Sequence, residues 1–134
     1  MASTMRRLRS QRGASSIEFV LYTPIMFLVI FTIVQFALVW HGNQVAAAAA
    51  REAARVARIE GGTPDALARA EAAGRRYVDA VGGDQLVDVT VTVTRAGDNV
   101  VATVSGRATE IIDDLTPRVS QTIEGPIEQF IPDQ

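Results

Sequence analysis

The chain has 134 residues, no cysteine, a formal charge of −2 and 48% hydrophobic residues. That length holds one membrane segment and one small domain, and the missing cysteines exclude a disulfide framework and any thiolate metal site. All 13 basic residues are arginine, against 15 acidic residues, and four of them precede Gly13; the remainder is therefore the more acidic part and lacks the basic face that nucleic acid needs.

The head carries Arg6, Arg7, Arg9 and Arg12 with no acidic residue among them. Beside an apolar run it reads as a topology signal. From Phe19 to Trp40 only Tyr22, Thr23, Pro24, Thr32 and Gln35 interrupt the hydrophobic residues. At about 1.5 Å per residue this run spans roughly 33 Å, enough for a hydrocarbon core of about 30 Å. A buried core helix would be unusual at this hydrophobic density in so small a domain. A cleaved secretory signal has an h-region of about 7–15 residues before a small-residue site. Ala46 to Ala50 offer such a site, but the run is longer and Glu18 stands at its start. Trp40 and His41 fit an interfacial anchor, and the N-terminal arginines favour a cytoplasmic N-terminus with the rest outside. Arg51, Arg55 and Arg58 weaken that bias. Pro24 removes one helical hydrogen bond and predicts a kink.

Arg12-Gly13-Ala14-Ser15-Ser16-Ile17-Glu18-Phe19, followed by an apolar helix with an early Pro24, resembles the processing site of type IV pilin-like proteins. The pattern is most similar to the TadE-like minor pilins (pseudopilins) of tight-adherence, or Flp, pilus systems. The resemblance implies that a prepilin peptidase cuts after Gly13 on the cytoplasmic side, leaving Ala14 as the new N-terminus and Glu18 as its fifth residue. It further implies a bacterial cytoplasmic membrane location, insertion as a single-pass protein and incorporation into a surface pilus. Its partners would be the lipid bilayer, the peptidase, other pilin-like subunits and the pilus assembly machinery. Ala14 stands where many type IV pilins have Phe, and Phe19 where major Flp subunits usually carry Tyr.

Glu18 is the costly residue. An unpaired carboxylate in lipid or in a filament core costs at least a few kcal/mol. Cleavage would create an α-ammonium at Ala14, and pairing with that group on a neighbouring subunit would fix the stagger of one helix against the next. The other reading places Glu18 at headgroup depth, stabilised by the positive end of its own helix.

Gln44 to Glu60, with five consecutive alanines, is a strong helix former that continues the membrane helix outward as a stalk. Arg51, Arg55 and Arg58 read as a solvated face, and Gly61-Gly62 as the stop. Thr63-Pro64-Asp65 then opens a second helix, with Thr63 as N-cap. Its apolar face is Leu67, Ala70, Gly74, Tyr77, Val78 and Val81. Asp65/Arg69 and Glu71/Arg75 are spaced as i,i+4 pairs, and Gly82-Gly83 ends the helix. The period then falls to two. Val87, Val89, Val91 and Val93 alternate with Asp88, Thr90, Thr92 and Thr94, predicting a half-buried strand. Gly97-Asp98-Asn99 is the turn, and Val100 to Arg107 the returning strand. Two strands alone are marginal, so the second helix and part of the stalk are expected to cover the valine face. Residues 110–118, with Ile111, Ile112, Leu115 and Pro117, read as a connection. Val119 to Ile123 reads as a third strand, and Ile127 to Ile131 as an apolar tail.

Catalytic chemistry is absent from this reading. One histidine, no cysteine and no Ser/His/Asp grouping leave no nucleophilic site. His41 reads as an interfacial polar residue, and Asp113-Asp114 as a solvated turn. No metal or cofactor is called for. The expected fold is α+β: a long N-terminal transmembrane helix extended into a stalk, then a second helix packed on a small antiparallel sheet of two or three strands. The expected segments are a basic cytoplasmic leader (1–13), a pilin-like transmembrane helix (14–41), a helical stalk (42–62) and a small extracytoplasmic domain (63–134). The expected function is that of a non-enzymatic structural subunit used in Flp pilus assembly. The alternative is a single-pass anchored extracytoplasmic binding or scaffold module that does not polymerise.

Overall fold

A computed structural model describes residues 8–109 and 118–128, with side chains from residue 16 onward. Arg6, Arg7, Ile111, Ile112, Asp113, Asp114, Leu115, Pro117, Phe130 and Ile131 lie outside the described residues. The elements run α1 (Leu8–Ile59), α2 (Pro64–Tyr77), a π turn (Val78–Gly82), a 3-10 turn (Gly83–Gln85), β1 (Leu86–Ala96), β2 (Asn99–Ala108) and β3 (Arg118–Pro126). The chain forms two compact units, Met1–Phe36 and Ala37–Gln134. The fold is α+β, and the antiparallel sheet has three strands in the order β1-β2-β3.

The first unit consists of α1 up to Phe36. Pro24 lies inside the helix, so the Val20 carbonyl has no helical N–H donor. The hydroxyls of Thr23 and Thr32 donate to the carbonyls of Phe19 (2.7 Å) and Leu28 (2.8 Å) one turn back. These polar side chains are thereby satisfied within their own helix, which is what an apolar surrounding requires.

In the second unit the alanine run is core. Ala46, Ala49, Ala50, Ala53, Ala54 and Ala57 are buried together with Val45. Their spacing of three and four residues sets one stripe along α1. The segment expected to form a stalk thus packs against α2 and the sheet, and part of it does cover the valine face.

α1 ends in a Schellman arrangement: the Gly62 amide donates to the Ala57 carbonyl (2.9 Å) and the Gly61 amide to that of Arg58 (3.3 Å). Both glycines have φ near +60° to +75°, a region that side-chain-bearing residues avoid. Thr63 Oγ1 then accepts from the Ala66 amide (3.2 Å), with Pro64 and Asp65 in the first turn of α2. α2 returns close to α1; a Cβ on Gly74 would lie 3.3 Å from the Ala53 Cβ and 2.9 Å from Val91 Cγ1. Tyr77, half-buried, packs at the margin of the core. α2 gives way to the π turn after Tyr77, and Gly83, at φ +49°, follows that turn.

β2 is the central strand and alternates without a break: Val100, Ala102, Val104, Gly106 and Ala108 are buried, and the intervening residues half-buried. β1 departs from the expected simple alternation. Leu86 is buried, Val87 is exposed, Val89 is half-buried, and Val91 and Val93 are buried. The cause is a bulge. Val87 faces Arg107 and Thr90 faces Ser105, so β1 carries one residue more than β2 between these pairs. An extra residue switches which parity faces the core. Asp88 takes the strain at φ +52°. The hairpin turn has Gly97 at φ +65° followed by Asp98 at negative φ, the pattern of a II′ turn. β3 is longer than the expected third strand and pairs with β2 from Arg118 to Pro126.

Candidate functional site

Those residues singled out in the sequence that the structure describes fall along α1. Gly13 and Ala14 lie within the helix, as do Arg9 and Arg12. Glu18 is exposed, and so is nearly every apolar side chain after it: Phe19 is 70% exposed and Phe36 75%. Ser16–Ile59 is long and apolar enough to cross a membrane. A helix face this apolar and this uncovered is a surface for lipid or for other helices, because in water it would be an aggregation site. Glu18 is the one acidic residue between Ser16 and Trp40.

Trp40 is 44% exposed, beside exposed His41, and both belong to the second unit. Immediately after them Gly42 becomes buried; a Cβ there would lie 3.0 Å from the Ala108 Cβ. The helix therefore changes from uncovered to packed within a few residues of Trp40.

Several charged side chains of the second unit tie its elements together. The sequence places Arg58 on a solvated face with Arg51 and Arg55. Arg51 is exposed, but Arg58 Nε donates to the Pro126 carbonyl (2.7 Å) and its guanidinium pairs with Glu128 (3.4 Å). The Glu128 amide donates in turn to the Arg58 carbonyl (3.2 Å), and Ile127 packs against the core. The C-terminal end of β3 is latched to the end of α1. Arg55 makes two hydrogen bonds to Glu52, at 2.7 and 2.9 Å. Chiefly through that hydrogen bonding, Arg55 holds the Glu52 carboxyl below its ordinary range. The expected Asp65/Arg69 and Glu71/Arg75 pairs do not appear. Arg69 reaches across the αα turn to Glu60 (2.6 Å), and Glu71 accepts from the Val93 backbone amide (3.1 Å). In both cases a partner brought by the fold displaces one offered along the helix, where a pair contributes only a few tenths of a kcal/mol.

Three further contacts had no signal strong enough to be read in advance. Asn43 Oδ1 accepts from Gln121 Nε2 (3.0 Å), tying α1 to β3. Arg107 donates twice to Asp88 Oδ2 (2.6 and 3.1 Å), steadying the bulge. Thr103 and Thr122 share a hydroxyl hydrogen bond across β2 and β3 (3.0 Å). An aspartate inside a valine-threonine strand was the available hint of a bulge. Among the described residues no group of three His, Asp or Glu side chains is placed to hold a metal ion.

Residues 13–55 match the family model described as TadE-like protein. This segment is similar to TadE-like proteins. The matched residues begin at Gly13, include Glu18, Phe19, Pro24 and Trp40, and end inside the buried alanine stripe; α2 and the sheet lie outside the match. No curated protein and no solved structure matches the chain significantly. The TadE-like segment thus includes both the uncovered part of α1 and much of the part that packs in the second unit.

Proposed function

We propose that the chain is a pilin-like, TadE-like structural subunit of a Flp-type pilus assembly system, without catalytic activity of its own. It inserts with its N-terminus in the cytoplasm and its second unit outside, and a prepilin peptidase cuts it between Gly13 and Ala14. The observation carrying this reading is the uncovered apolar stretch of α1 that follows Glu18 and lies within the TadE-like match, with a Gly-Ala bond just before it in the sequence. Cleavage would remove the arginine head and leave an α-ammonium four residues before Glu18. In a bundle of such helices the lipid-facing side chains exchange lipid for neighbouring helices, and the carboxylate–ammonium pair selects one axial stagger, since any other leaves a charge unpaired.

The test is intact-mass analysis of the protein extracted from membranes of cells with and without an active prepilin peptidase. A mature chain beginning at Ala14, seen only with the peptidase, is the expected result. A chain that keeps its leader in peptidase-positive cells overturns the pilin reading and leaves an anchored module that does not polymerise.

A further inference from the structure

We infer that the outer edge of β3 is a docking site for an extended segment of another polypeptide, which adds antiparallel to the sheet as a fourth strand. The segment that fits has a basic side chain six positions before an acidic one. Every contact involved lies within the second unit. In an antiparallel pair, residues of one parity turn their backbone N–H and C=O toward the neighbouring strand, and residues of the other parity turn theirs away. The Ile127 amide donates to the Asp98 carbonyl beside β2 (2.8 Å), in line with the pairs Gly125↔Val100 and Ile123↔Ala102. The odd-numbered residues of β3 therefore bond to β2, and the even-numbered ones face outward. The Pro126 carbonyl is one of these outward groups, and it accepts from Arg58 Nε (2.7 Å). Pro126 itself has no N–H, and the Glu128 amide donates to the Arg58 carbonyl (3.2 Å), so this end of the edge is closed. Before it, the outward amides and carbonyls of Arg118, Ser120, Thr122 and Glu124 have no backbone partner among the described residues.

The two edges of the sheet differ. Bulges, charges, prolines and covering elements blunt an edge strand. At β1 a bulge interrupts the ladder, α2 packs alongside, and Glu71 takes the outward Val93 amide. β3 pairs with β2 without a register shift, and its charges and proline stand at the ends of the open stretch, leaving Val119 to Ile123 uncharged. Those end charges select the partner. An antiparallel strand makes two hydrogen bonds at each outward residue. It sets one of its residues opposite Glu124 and, six positions later, another opposite Arg118. Opposite charges directly across a pair of strands are favourable and like charges are not, so the first is basic and the second acidic. β3 carries that same order, Arg118 before Glu124. A second copy does not fit, however. α1 runs alongside β3: a Cβ on Gly42 would lie 3.0 Å from the Ala108 Cβ near the start of β3, and one on Gly125 would lie 3.1 Å from Arg58 Cδ near its end. Laying a second β3 antiparallel reverses its α1 as well, whereas copies inserted alike in one membrane, on the reading above, keep α1 in one direction. The β3 sequence freed from α1 is nevertheless a suitable probe.

The test uses the full chain in detergent micelles and the end-blocked peptide Arg-Val-Ser-Gln-Thr-Ile-Glu, with amide exchange followed by NMR and affinity by fluorescence anisotropy. The expected result is that the amides of Ser120, Thr122 and Glu124 exchange freely in the protein alone and become protected as the peptide saturates. N-methylation of the peptide's third residue, which faces β3, should abolish binding, while N-methylation of its fourth, which faces away, should not. A peptide with its end charges exchanged should bind about fivefold more weakly, and the double variant Arg118→Glu/Glu124→Arg should reverse that preference. Three results overturn the proposal. Protection already present in the dilute protein alone means that the chain covers its own edge. Protection that rises with protein concentration, without peptide, means that a second copy fills it. No protection by the peptide, or equal binding of the two N-methylated forms, means that the edge takes no added strand.

Discussion

The carboxylate of Glu71 on α2 accepts a hydrogen bond from the backbone amide of Val93 in β1, at 3.1 Å. β1 is an edge strand, since the sheet order is β1-β2-β3, and an edge amide left unpaired is both a destabilising group and a template for aggregation. Substituting Glu71→Ala is expected to cost about 1 kcal/mol, the lower end for an orphaned donor because the site is only partly buried. Glu71→Gln keeps an acceptor oxygen and is expected to lose less. Denaturant unfolding of the full chain in detergent micelles, with aggregation followed by light scattering, checks both the order and the edge argument.

The bulge at Asp88 gives a second expectation. Its φ of +52° is a conformation that Asp and Asn tolerate and β-branched residues do not. Asp88 also fixes Arg107 at 2.6 Å, though both side chains are more than a third exposed. The ion pair is therefore the smaller part of the cost and the backbone the larger. Asp88→Asn is expected to be the mildest substitution, Asp88→Ala intermediate at about 1–2 kcal/mol, and Asp88→Val the most damaging. Unfolding midpoints of the three variants test that order; equal losses for Asn and Val would show that the ion pair, not the backbone, holds the bulge.

Much of this architecture was legible because its signals are local. The Thr63-Pro64-Asp65 start, the Gly61-Gly62 stop and the Gly97 hairpin each depend on a residue's own backbone preference, and each stands where the sequence places it. The alanine run was readable as helix but not as core: alanine is equally compatible with a solvated stalk and a tight interface, and only α2 and the sheet decide. Arg58, Glu71 and Asn43 were misread or passed over because their partners lie 70, 22 and 78 residues away in sequence, and no periodicity reports such distances. The Gly13, Glu18 and Phe19 pattern carried the resemblance to TadE-like proteins, and the matched residues include it.

Gly74 shows propensity and packing in opposition. Replacing an interior helical glycine by alanine ordinarily gains about 1 kcal/mol. Here the new Cβ would come within 2.9 Å of Val91 Cγ1 and 3.3 Å of the Ala53 Cβ. Overpacking of that kind costs about 1–3 kcal/mol, so Gly74→Ala is expected to destabilise by roughly 1 kcal/mol net. The clash is with one methyl of Val91. Adding Val91→Ala to Gly74→Ala should therefore cost less than the sum of the two single changes, a coupling that a double-mutant cycle reads directly.

Glu18 carries the last prediction. Near the end of a membrane helix a carboxylate costs less than the roughly 3 kcal/mol found at the helix centre, so Glu18→Ala is expected to leave insertion intact. It also leaves the Gly13–Ala14 bond unchanged, and processing should continue. What it removes is the proposed partner of the N-terminal ammonium that cleavage would create. If the pair sets the stagger between neighbouring helices, the processed variant should co-purify poorly with other pilus components while its own level and mass are unchanged. Glu18→Gln separates charge from shape, because it keeps the size and a hydrogen-bonding oxygen but cannot neutralise the ammonium. It should therefore resemble the alanine variant. Recovery of pilus components equal to wild type with both variants would assign Glu18 to headgroup depth, where the positive end of its own helix is sufficient to stabilise it.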